Sequence, residues 1–321
     1  MKLDVFLPSL LVAPDWFADS APPRLPALEK LLAHGGENVA AEWPQPLLSA
    51  FGAVGSAAAF AAHGDAIDTA VHGWMFAEPA HFQADRDTLN LLPGAQLDVT
   101  NEEAARLIGA LNENFSDREL VFSRGASGQW YVSCQAEELP QTTSLRSAQR
   151  GALFEKLPQS RGKLSWKSIQ NEAQMLFHTH PVNAARESAG KLTVNGVWFW
   201  GEGVLPRTSP GQATIFGAVF AETPLPTGLG KWNGARTDPL GAFAVDALNP
   251  ATRHALVIET LLHAHERGDV HSWLEAASGL EQQVFAPLLR SLHSGAIDQL
   301  TLNLPRDRDC LVANVNAQST R

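Results

Sequence analysis

The chain has 321 residues, 45% of them hydrophobic, which is ample material for a large core and excludes a disordered chain or a mini-protein. Lys and Arg number 24 against 34 Asp and Glu, a net charge of −10, and no Lys/Arg run occurs, so the electrostatic footprint of a nucleic-acid partner is missing. Cys134 and Cys310 lie far apart with no Cys-x-x-Cys or Cys/His spacing, which fits a reducing compartment better than a disulfide framework and makes the expected location cytoplasmic.

The first residues, Met1–Ala13, are largely apolar after Lys2, but Asp4 and Pro8 interrupt them and no clear small-x-small cleavage site follows. No apolar run approaches the ~20 residues of a membrane helix. Leu3–Leu7 therefore reads as a buried strand, and no membrane partner is expected. A Pro-rich stretch leads into Ala27–Ala33, where Leu28, Leu31 and Leu32 stand at helical spacing until His34-Gly35-Gly36 ends the helix. Residues 44–73 are rich in Ala and Gly but contain neither Gly-rich phosphate-binding motif, so no nucleotide cofactor is expected.

Thr100-Asn-Glu-Glu103 is a capping box opening a helix whose apolar face is Ala104, Leu107, Ile108 and Leu111. Leu120–Ser123 and Trp130–Gln135 predict two strands joined by the glycine-containing hairpin Arg124–Gln129. Trp166, Ile169, Ala173, Leu176 and Phe177 mark a second amphipathic helix ending near His180, the residue before Pro181. Val194–Trp200, Ala213–Phe220 and Ala242–Ala247 are strand-like. In Ala255–Leu262 periodicity alone does not separate strand from helix. Val270–Leu292 predicts a long helix stopped by Gly295, and Leu300–Leu304 and Cys310–Val315 supply closing strands.

Alternation of strands and helices at both chain ends predicts an α/β fold on an open, mostly parallel sheet. The helices and hairpin between them predict an inserted α+β domain. The expected division is a discontinuous core of residues 1–78 and 188–321 with an insert at 79–187.

The densest run of chemistry-bearing residues is Asn171 to Gly203, with His180-Pro-x-Asn183-x-x-Arg186, then Asn195, then Trp200-Gly201-x-Gly203. This pattern resembles the archaeal-type cofactor-independent phosphoglycerate mutases of the alkaline phosphatase superfamily, and more closely their bacterial relatives, the RpfE-type regulatory proteins. Pro26–Gly35, Thr100–Asn114 and His265–Leu289 resemble other family segments. Glu78-Pro-x-His81 followed by Asp85-Arg86-Asp87 most resembles the RpfE type. The resemblance implies an alkaline-phosphatase-like core, and it favours a strand at Ala255–Leu262.

Phosphoryl transfer in that superfamily, as the resemblance implies, uses two divalent metals held by Asp and His and a nucleophilic Ser or Thr. The mutases carry Asp-Gly just after the first strand, where this chain reads Leu7-Pro8-Ser9; neither Asp-Gly, His-Asp nor Asp-His occurs anywhere in it. The family's Asp-x-x-x-His becomes Leu261-x-x-x-His265, and Arg306-Asp-Arg-Asp309 stands where Asp-His is expected. A binuclear metal site is therefore not expected, and neither a metal nor another cofactor is assigned.

Three readings stay open: a non-catalytic regulator or sensor binding a small phosphorylated or carboxylate metabolite, an enzyme on such a metabolite with a rebuilt site, and an interaction scaffold with a protein partner. The expected ligand-binding residues are His180, Asn183, Arg186, Asn195, Trp200, Gly201 and Gly203. Each has a structural alternative: helix-surface arginine, turn-fixing histidine, loop-bracing asparagines, core tryptophan, and glycines that permit backbone turns.

Overall fold

In a computed structural model the chain is described at all residues except 18, 19, 34, 54, 55, 70, 71, 86, 87, 208–213 and 319–321. His34, the Arg86 and Asp87 of the acidic–basic cluster, and Ala213 at the start of an expected strand lie outside the described residues. The chain divides into two compact units, residues 1–53 with 208–321, and residues 54–207.

The first unit opens with β1 (Lys2–Phe6), α1 (Pro26–Leu31), β2 (Glu37–Val39) and α2 (Gln45–Ala50). The second unit then intervenes: α3 (Ala57–Gly64), β3 (Gly73–Asp85), β4 (Thr88–Pro93), α4 (Asn101–Asn114), β5 (Val121–Arg124), β6 (Trp130–Cys134), α5 (Leu145–Ala148), α6 (Trp166–His178), α7 (Pro181–Ser188) and β7 (Gly196–Val204). The chain returns to the first unit with β8 (Ala218–Phe220), α8 (Pro224–Asn233), β9 (Arg236–Asp238), β10 (Arg253–Val257) and α9 (Thr260–Glu266). It closes with α10 (Val270–Leu280), α11 (Ala286–Ser294), β11 (Gln299–Pro305) and β12 (Cys310–Val315).

In the first unit the strand order is β2-β12-β11-β1-β10-β8-β9. β1 pairs in parallel with both β10 and β11, and β8 and β9 continue the parallel run, while β12 and β2 are antiparallel edge additions. A parallel strand is covered on both faces, which is why β1 reads as a nearly continuous apolar run. Its one buried charge, Asp4, is 2% exposed and accepts two hydrogen bonds from the Arg253 guanidinium of β10, at 2.5 and 2.6 Å. Leu3, Val5, Leu256, Leu300 and Leu302 meet Trp273, Leu288 and Leu292 of the C-terminal helices in one core.

The second unit is built on the sheet β4-β3-β6-β5, with β7 on β3, and every pairing is antiparallel. One face carries Met75, Ala77, Val132, Val197 and Phe199 and packs under α4 and α6. The other carries Trp74, Phe76, Tyr131 and Trp200, and the small residues of α3 lie against β3 and β7. Tyr131 donates its hydroxyl to Asp65, just past the end of α3, at 2.7 Å.

The α/β fold with a mostly parallel sheet follows the expectation. Residues 54–78 and 188–207 lie in the second unit, where β7 pairs with β3 from Gly73 to Ala80. Ala255–Leu262 is divided between the end of β10 and the start of α9, and Ala242–Ala247 lies across two 3-10 turns with Phe243 and Val245 packed on the core from a loop. Val270–Ser294 is continuous through a π-helical turn at Glu281–Phe285 and ends at Gly295, whose φ is 78°. No helix among the described residues is long and apolar enough to cross a membrane.

The capping box forms as read: Glu103 N–H donates to Thr100 Oγ1 at 3.2 Å and Thr100 N–H to Glu103 Oε2 at 2.8 Å. Thr100→Ala is expected to lower stability by about 1 kcal/mol, measured by urea unfolding against the wild-type chain.

Candidate functional site

The expected ligand-facing residues fall into two groups on the second unit. The first sits around α7. His180 is its N-cap, and its Nδ1 accepts the Val182 N–H at 3.2 Å, which assigns the ring proton of the neutral form to Nε2. Burial, followed by the nearby charge of Arg106, pushes the His180 imidazole below its ordinary range and favours that neutral form. Pro181 at the first helical position has no N–H to satisfy, so proline and the histidine cap together start the helix.

Asn183 is 2% exposed and uses both ends of its amide: Nδ2 donates to Phe177 O at 2.7 Å and Val194 O at 2.8 Å, and Oδ1 accepts Val194 N–H at 2.9 Å. Asn195 repeats the device on β3, accepting Phe82 N–H at 2.7 Å and donating to Phe82 O at 3.0 Å.

Arg186 is also 2% exposed. Its Nε donates to Leu192 O at 2.7 Å, Nη1 to Glu103 at 2.9 Å, and Nη2 to Leu97 O. The guanidinium expected to face a ligand thus lies inside the protein with each of its three nitrogens on a protein acceptor, tying α7 to the start of α4. Burial raises the Glu103 carboxyl, but the Thr100 backbone N–H and Arg186 outweigh it and hold the group below the usual range.

Trp200, Gly201 and Gly203 lie at the far end of β7, several residues along the strand from Asn195. Between Trp74 and Phe76 the β3–β7 register shifts, so that Gly201 and Glu202 oppose the single residue Met75. Gly201 takes a φ of 71° there, and a Cβ on it would meet Phe76 at 3.0 Å. This is a bulge built on a left-handed glycine. Trp200 stacks on Phe76 with ring centroids 4.4 Å apart, while Trp198 is fully buried and donates its indole N–H to Thr143 O at 3.0 Å. The structure therefore joins His180, Asn183, Arg186 and Asn195 in one brace and sets the Trp-Gly-x-Gly residues apart.

The carboxyl ends of the parallel strands in the first unit hold groups that sequence reading did not select. Such ends are where ligands reach open α/β sheets. After β1, Ser9 adopts a φ of 60°, its hydroxyl lies 3.1 Å from His265 Nδ1 on α9, and its carbonyl accepts the Trp273 indole N–H at 2.8 Å. Trp16 meets the His265 ring edge-on at 5.1 Å. After β10, Glu259 is 9% exposed and accepts hydrogen bonds from the Thr223 hydroxyl, after β8, and from the Trp43 side chain, ahead of α2. Burial pushes its carboxyl up to about 7 against the pull of those two donors. The acid was legible only as one charge in an apolar run; nothing local announced its two partners.

The residues do not fit a two-metal centre. Pro8 offers no side-chain donor, Leu261 is fully buried among apolar neighbours, and Asp309 is held by Arg306 through two contacts of 2.7 Å. Among the described residues no group of three or more His, Cys, Asp or Glu is placed to hold a metal ion.

No family model matches the chain. It is similar to the 2,3-bisphosphoglycerate-independent phosphoglycerate mutase of Methanosarcina barkeri, with 22% identity over 210 residues, 60% of this chain and 53% of that protein. It is also similar to the probable mutase of the same name from Geobacter sulfurreducens, with 26% identity over 157 residues, 44% and 39% of the two chains. The chain thus spans about half the length, or less, of these curated relatives. Among solved structures, the PH0037 protein from Pyrococcus horikoshii matches with a TM-score of 0.54 at 14% identity, covering 98% of this chain and 87% of that one. The chain shares that protein's fold, and the curated similarities support the resemblance to the cofactor-independent phosphoglycerate mutases.

Truncating Arg186 leaves Glu103 and two carbonyls without their donor inside the protein. Arg186→Ala is expected to cost about 3 kcal/mol or more, read as a lower midpoint in urea unfolding followed by tryptophan fluorescence. An unchanged midpoint would return Arg186 to the surface role.

Proposed function

We propose that the chain is a phosphoglycerate-mutase-like protein that keeps the fold without the metal-dependent transfer chemistry and acts as a regulator, in the manner of the RpfE-type proteins it resembles. The observation that carries this reading is the turn after β1. The left-handed backbone of Ser9, with its φ of 60°, supports matching Pro8-Ser9 to the Asp-Gly of the mutases, since glycine enters that region at no steric cost. Proline then stands in place of the metal-binding aspartate. The curated relatives are named as mutases, and this chain contains none of the Asp-Gly, His-Asp and Asp-His pairs that the family resemblance implies.

The regulator reading includes either a small phosphorylated or carboxylate ligand or a protein partner. The internal engagement of Arg186 favours the protein partner, because an anion at that arginine has to displace Glu103 or a carbonyl.

The test is turnover of 3-phosphoglycerate by the purified chain with Mn²⁺, Mg²⁺, Zn²⁺ or Co²⁺ in turn. The expected result is a rate equal to the blank with every metal. A metal-dependent rate well above the blank, abolished by His265→Ala, would overturn the reading and place an active centre at the carboxyl edge of the sheet.

A further inference from the structure

We propose that Trp43, Thr223 and Glu259 form a proton-controlled latch that holds closed the carboxyl edge of the first unit's sheet. Three separate chain segments meet at this one carboxyl group: the turn leading into α2 brings Trp43, the loop after β8 brings Thr223, and the end of β10 brings Glu259. Both donors are neutral, and no charged group contributes to the position of the Glu259 carboxyl. When it ionises, the buried charge has two hydrogen bonds and no counter-ion. Water then offers a better environment than the closed contact does.

The surrounding charges are accounted for on each element. On α9, the His263 backbone N–H donates to Glu259 O at 3.0 Å, and burial followed by the charge of Arg267 pushes the His263 imidazole below its ordinary range. Beside Thr223, the exposed Glu222 accepts Leu240 N–H at 2.9 Å, and on β9 Asp238 is paired with Arg236 at 2.6 Å.

The direction in pH follows from the raised value. A carboxyl at about 7 when closed and at its ordinary 4.5 when open is protonated in both states below 4.5. The closed state then loses its advantage as pH rises through about 7. Between pH 6 and pH 8 the population of the open latch is expected to grow about tenfold. An edge shut in mildly acidic solution and available above neutrality is the predicted behaviour.

Hydrogen exchange of the full chain at pH 6 and pH 8, corrected for the intrinsic pH dependence of exchange, tests this. Residues 40–50 and 221–228 should lose protection about tenfold on going to pH 8, while α4 in the second unit should not. In Glu259→Gln, which keeps the shape and cannot ionise, both segments should show the same protection at the two pH values. Thr223→Val removes a donor that favours the charged form, so the loss of protection should continue to higher pH before it levels off. Protection independent of pH in the wild type, or an unchanged response in Glu259→Gln, would overturn the latch.

Discussion

The thirteen-residue strand β3 is the constraint on which the second unit depends. It is long enough to take β6 beside its first half and β4 beside its second on one edge, and β7 along the other. Two helical layers then have a continuous platform, and the α7 brace acts to keep β7 in register. Asn195 substitutes for backbone pairing at Phe82, Asn183 closes the turn between α6 and β7, and Arg186 anchors that turn to α4 through Leu97 and Glu103. A run of polar residues that looks like a binding motif is the device by which a long strand recruits its partner.

The first unit obeys a different rule. Parallel neighbours need crossover connections, and β1 has one on each side. Its partners come from beyond residue 250, so the core of this unit cannot close until the C-terminal third of the chain is present. The buried Asp4–Arg253 pair makes the β1–β10 register specific, because a shift of one residue would turn the aspartate to the other face and break both hydrogen bonds.

Local signals in the sequence were sufficient for the elements they govern. The Thr100–Glu103 capping box, the helix end ahead of Pro181 and the Gly295 stop all appear where the residues place them. Partner choice was not legible. The alternation of Trp198 and Trp200 announces a strand but does not say whether it joins β3 or the parallel sheet. Arg186 reads as a helix-surface cation because the acceptors at Glu103 and Leu97 lie 83 and 89 residues away along the chain. Glu259 reads only as one charge in an apolar run for the same reason, since Trp43 and Thr223 reach it only after three segments have converged.

The π-helical turn between α10 and α11 does more than join them. Helix α1 begins after Leu25, which has no side chain able to cap it. Glu281, at the first position of the π turn, supplies the missing acceptors, taking Ala27 N–H at 2.7 Å and Leu28 N–H at 3.4 Å. The extra residue in that turn sets the rotation of α10 relative to α11 and so aims the carboxylate. Deleting one residue there would convert the segment to an ordinary α-helix, a change that looks harmless in helical content. It would rotate Glu281 by about 100° about the helix axis and leave the start of α1 uncapped some 250 residues upstream. The start of α1 is thus coupled by helix phase to the segment 270–294, and insertions or deletions there should disturb the N-terminal helix as well as their own.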